Sequence, residues 1–192
     1  MNNFPAHTHL VRTVVASGLL LLSLLVTLLA IVPINEWLFP DTFVGAILIY
    51  IPHGIRTIAA WLFGWLSAIY LLPANILVLM FTGSGELGVL NLLIMLAVVT
   101  LSAPLAFRIL AFVGFDMRSN PALRFNWRAV VFAGGIASLI NAIALHTVRF
   151  HSIPAEEHLL GIMYWVIGDV IGVVVVFMGM LLVDRRMRSK SG

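Results

Sequence analysis

The chain contains no cysteine, which excludes disulfides and thiolate metal sites. It is also short of charge. Only 10% of its 192 residues are charged and 61% are hydrophobic, against about 25% charged in an ordinary soluble domain. A soluble fold is therefore excluded. The length suits one compact helical bundle, and no kinase, cyclase or nucleotide-binding module is expected at either end. Gly-x-Ser-x-Gly, His-Glu-x-x-His and phosphate-loop motifs are missing, so neither enzyme activity nor a cofactor is expected. Acids are outnumbered by bases, 8 to 11. Because the basic residues bracket apolar stretches and form no patch on a soluble surface, they argue against nucleic acid as a partner.

What the chain has in place of charge is long apolar runs. An all-α, polytopic transmembrane bundle is expected, with spans over about 11–33, 42–52, 55–72, 87–110, 127–147 and 159–183. The first has no small-x-small cleavage site after it, since Pro33-Ile34-Asn35-Glu36 follows, and is expected to be retained. The second is too short to cross about 30 Å of hydrocarbon as a straight helix. It is expected to be a tilted or half-membrane piece that breaks at Pro52-His53-Gly54. Pro73 is expected to interrupt the chain again, and Pro104 to kink the fourth span.

Arg118, Arg124 and Arg128 between the fourth and fifth spans, and Arg185, Arg186, Arg188 and Lys190 after the last, should face the cytoplasm. Counting back puts the Glu156–Glu157 loop outside, the Arg56 region inside and the N-terminus inside, with six passes. If 42–52 only re-enters, there are five passes and the N-terminus is outside.

The last span holds Asp169 within Trp165-Val166-Ile167-Gly168-Asp169-Val170-Ile171-Gly172. A carboxylate at that depth costs roughly 2.5–3.5 kcal/mol on insertion scales, so it needs a partner inside the bundle. The candidates are Arg56, Arg108 and His53. Gly168 and Gly172 share a face and admit a close neighbour. Trp165 and Tyr164 are placed to line a pocket. Two readings of Pro52-His53-Gly54-Ile55-Arg56 stay open: a broken helix presenting His53 and Arg56 to an anion or to Asp169, or a cytoplasmic turn. Asn141 is expected to hydrogen-bond between helices. His146, His151 and His158, with Glu156 and Glu157, match no tight metal-ligand spacing. An intramembrane aspartyl protease would need Gly-x-Gly-Asp, and the first glycine is missing here.

Pro52-x-Gly54, then Pro73-x-Asn75, then Trp165-x-x-Gly168-Asp169-x-x-Gly172 resemble the first family of bacterial membrane-associated sensor domains, over about residues 40–183. Members of that family are integral membrane input modules, commonly of eight spans, usually fused to diguanylate cyclases, phosphodiesterases or histidine kinases. The resemblance implies a free-standing, sensor-like module of the bacterial inner membrane. Its polar centre would involve Asp169, Arg56, His53, Trp165 and Arg108, with Pro52, Gly54, Pro73, Gly168 and Gly172 shaping the helices around it. Expected partners are membrane lipid and a separate signalling or transporter protein at the cytoplasmic Arg-rich face. Size and hydropathy alone also suit a substrate-binding subunit of a vitamin-type uptake transporter, or a structural accessory subunit.

Overall fold

The computed structural model describes residues 5–39, 47–82, 88–117, 126–149 and 155–190. They form an all-α bundle of six helices: α1 (Ala6–Leu38), α2 (Ile51–Phe63), α3 (Leu66–Thr82), α4 (Val89–Phe112), α5 (Trp127–Arg149) and α6 (Ala155–Lys190). Four of these, α1, α4, α5 and α6, are long and apolar enough to cross a membrane. Their outer faces carry large exposed apolar side chains such as Leu29, Phe112 and Phe132, as lipid-facing surface requires.

The breaks in the chain do not fall where the prolines suggest. Pro52 sits in the first turn of α2, where its missing N–H takes nothing from the helix. It therefore starts a helix and breaks none. Residues 47–50, expected as helix, are non-helical, and residues 42–46 lie outside the described residues. Pro73 lies inside α3 without ending it. Ser17 Oγ on α1 donates to the Tyr70 carbonyl at 2.7 Å, serving a backbone acceptor in the turn before the proline. Pro104 is likewise passed without interruption of α4.

The real break in this region is at Gly64, in the middle of the expected 55–72 span, with φ 57° and ψ −131°. L-residues with a side chain avoid that conformation. α2 and α3 fold back on each other there: Arg56 and Asn75, 19 residues apart, are in hydrogen-bond contact. A continuous helix would hold them about 28 Å apart. Arg56 is thus a buried residue inside a helix, and the cytoplasmic-turn alternative is corrected.

α1 also runs further than expected, to Leu38. A π turn at Thr27–Ile31 comes just before Pro33, a common way to absorb a proline in a long helix. The extension matters because Asn35, on its last turns, accepts a hydrogen bond from the Leu48 N–H at 3.3 Å. The non-helical strap of residues 47–50 is pinned at its other side by Tyr50 N–H donating to the Gly168 carbonyl at 3.0 Å.

Three apolar clusters hold the helices together, one of them made of alanines alone: Ala60, Ala103, Ala106 and Ala137, joining α2, α4 and α5. Ile58, Trp61, Leu110, Val130, Val173 and Phe177 join α2, α4, α5 and α6. Ala16, Leu20, Ala59, Tyr70, Leu71 and Ala74 join α1 to the α2–α3 hairpin. In lipid there is little hydrophobic drive between helices, so close packing and buried polar contacts carry the association. Where they meet decides the site.

Candidate functional site: a buried polar centre

Glycines let three helices converge. A Cβ on Gly54 would stand 2.5 Å from the Gly172 carbonyl oxygen, so α2 and α6 touch backbone to backbone. A Cβ on Gly168 or Gly172 would overlap the carbonyls of Ile47 and Tyr50 respectively, so the strap lies directly on α6. On α5, a Cβ on Gly134 would reach Val173 at 2.8 Å and Thr57 at 3.3 Å. These contacts bring residue 53 of α2, residue 138 of α5 and residue 169 of α6 to one point.

There Ser138 Oγ donates to Asp169 Oδ2 at 2.6 Å, and His53 Nδ1 lies 3.4 Å from the same oxygen. All three residues are buried. His53 Nε2 is 3.0 Å from the Gly134 carbonyl oxygen. A carbonyl only accepts, so Nε2 carries a proton and donates it. Nδ1 then faces the carboxylate with either a lone pair or a second proton. A bare lone pair against a carboxylate oxygen repels, so the contact is attractive only when the pair carries one further proton, on the imidazole or on the carboxyl. With Ser138 this supplies the company a carboxyl needs at this depth.

Arg56 does not join this pair. Among the described residues no ion pair within 4.0 Å includes it. Its Nε donates to Asn75 Oδ1 at 3.1 Å, and Asn75 Nδ2 donates to Thr100 Oγ1 at 3.2 Å. The centre therefore has two wings, a proton-bearing one (His53, Asp169, Ser138) and a cationic one (Arg56, Asn75, Thr100).

The remaining expected residues fall outside the contacts. Arg108 is exposed on α4. The inward face there is Ser102, Ala103, Ala106 and Leu110, and residue 108 is turned away from it by the 100° helical step. Its expected place in the centre is corrected. Trp165 is half-buried one turn from Asp169, edge-on to His146 with ring centroids 5.3 Å apart. Asn141 is buried with its Oδ1 unbonded, contrary to the expected interhelical hydrogen bond. His151 and the side chains of Glu156, Glu157 and His158 lie outside the described residues.

Sequence reasoning did not assign Ser138, Thr100 or the Gly134 carbonyl to the centre, and it took Asn75 only as part of a motif. The available signal was polarity inside apolar runs, which marks Ser138, Asn75 and Thr100 but does not say which residues meet. An apolar groove of about 340 Å³ between α1 and α2, walled by Val15, Leu19, Ile58 and Leu62, shares no lining residue with the centre. Compared with protein-family models, curated proteins and solved structures, the chain has no match.

Proposed function

We propose that this multi-pass chain is a sensor-like binding module of a bacterial inner membrane, without catalytic activity of its own and with its C-terminus cytoplasmic. Supporting it is the place of the His53–Asp169 contact. It joins α6 to the N-terminal turn of α2, immediately after the strap that lies on Gly168 and Gly172. Loss or gain of a proton on this pair, or a ligand competing for the centre, alters the attraction between α2 and α6. The strap and helix then redistribute between two packings. Arg185, Arg186 and Arg188, exposed at the end of α6, offer a surface for a separate output protein or for anionic lipid.

A structural accessory role is the second reading. It is favoured by how closed the centre is, with Asp169, His53 and Ser138 all under 5% exposed. Spin labels separate the two. The absence of cysteine allows a single engineered pair, Leu62→Cys on α2 and Met178→Cys on α6, both exposed. A two-state module gives two distance populations whose ratio changes in Asp169→Asn. One sharp distance, the same in both proteins, leaves the structural reading.

A further inference from the structure

Resting on the module proposed above, we infer that the terminal edge of the Arg56 guanidinium is a receptor for one carboxylate monoanion. Arg56 is 5% exposed, yet among the described residues its one hydrogen bond leaves from Nε, to Asn75. Among the described residues no acceptor takes the four N–H groups of its two terminal nitrogens, and these nitrogens are not among the fully enclosed unpartnered atoms, so they stay reachable. A guanidinium this deep is strongly disfavoured without an acceptor or counter-charge, and buried polar groups are otherwise nearly always matched.

The arrangement on the Nε side is an independent observation. Asn75 gives its Nδ2 to Thr100, which leaves Oδ1 for Arg56 and dictates the orientation of the amide. The guanidinium is clamped by one nitrogen, while the pair that binds carboxylates through two parallel hydrogen bonds is left over. Ala60, one turn beyond Arg56, and Ala103, one turn beyond Thr100, are buried in a common cluster with Ala106.

Charge limits the ligand. Carrying one further proton, the His53–Asp169 pair is neutral, and Arg56 adds a single positive charge. One monoanion balances the centre, whereas a phosphate dianion over-compensates it. A carboxylate matches both the charge and the planar fork. Such a group reaches the bundle either from solution, on a short organic acid, or from the bilayer, on a fatty acid.

The test uses the full chain in phosphatidylcholine nanodiscs, with thermal unfolding read by tryptophan fluorescence. Acetate is titrated against chloride at matched ionic strength, oleate against oleyl alcohol, and inorganic phosphate is run beside them. The expected result is a saturable rise in Tm with acetate or with oleate and none with chloride or the alcohol. Acetate alone identifies a soluble acid, oleate alone a lipid-derived one. Arg56→Gln, checked for unchanged helicity, should abolish the rise. Arg56→Lys keeps the charge and loses the fork, and should raise the half-saturating concentration about tenfold or more. If Arg56→Gln does not fold, Arg56→Lys decides alone, and an unchanged half-saturation overturns the inference. It is also overturned if neither carboxylate gives a saturable rise, if phosphate is preferred to both, or if Arg56→Gln responds like wild type. The spin-label distances are independent of these titrations. Two packings with no carboxylate response sink the receptor and keep the module. A carboxylate response with one invariant distance does the reverse.

Discussion

Replacing Asp169 by alanine and by asparagine should give very different proteins, although both remove the acid. Alanine deletes the acceptor of the Ser138 hydrogen bond, a charge-assisted contact of roughly 1.5–3 kcal/mol. It also leaves the Ser138 hydroxyl and His53 Nδ1 without a partner at sites 0% and 1% exposed, each orphan adding about 1–3 kcal/mol. These terms overlap, and the net loss should lie near the ~3–5 kcal/mol typical of breaking a buried pair. Asparagine can repair the site. Both contacts converge on Oδ2, and an NH₂ group in that place has two hydrogens, one for His53 Nδ1 and one for Ser138 Oγ. Its loss should stay below about 1.5 kcal/mol. A gap of about 2 kcal/mol or more is roughly 30-fold in the unfolding equilibrium. Reversible unfolding in mixed micelles with increasing SDS, followed by circular dichroism, measures it. If asparagine is as damaging as alanine, or alanine unfolds at the wild-type midpoint, the hydrogen-bond assignment is wrong. Because asparagine holds the fold without a transferable proton, it also separates stability from switching.

Four other substitutions probe the surrounding frame. Gly172→Ala drives a methyl into the Tyr50 carbonyl and should displace the strap, costing about 1–3 kcal/mol in the same unfolding assay and speeding exchange of the Tyr50 amide hydrogen. Gly64→Ala should cost about 1–3 kcal/mol through its φ of 57°, and an unchanged midpoint would remove the hairpin turn from the account. Thr100→Val takes away the acceptor that orients Asn75. It should cost about 1 kcal/mol, and a double-mutant cycle with Asn75→Ala should show coupling of about 0.5 kcal/mol or more. Arg108→Gln, at an exposed site, should shift the midpoint by no more than about 0.5 kcal/mol; a large loss would return Arg108 to the centre.

Much of the class of this protein can be read from composition and periodicity, because apolar runs of membrane-spanning length have few alternatives. The same holds for the need of Asp169 for partners, since an acid within such a run cannot stand alone, and for the close approach at Gly168 and Gly172, where absent side chains leave backbone exposed. The strap that uses that gap was not legible, because residues 47–50 read as part of an apolar helix. Proline and glycine exchanged roles for a related reason. Whether Pro52 ends a helix or begins one depends on which side of it the helix lies, and the turn at Gly64 is defined by a backbone angle.

Partner choice belonged to the tertiary structure alone. His53 and Arg56 are three residues apart on one helix, and opposite charge favours either beside Asp169. Only the way α2 lies between α3 and α6 sends His53 to Asp169 and Arg56 to Asn75. Polarity in an apolar run states that a group must be matched. The three-dimensional packing of helices, through glycines at residues 54, 134, 168 and 172, decides with what.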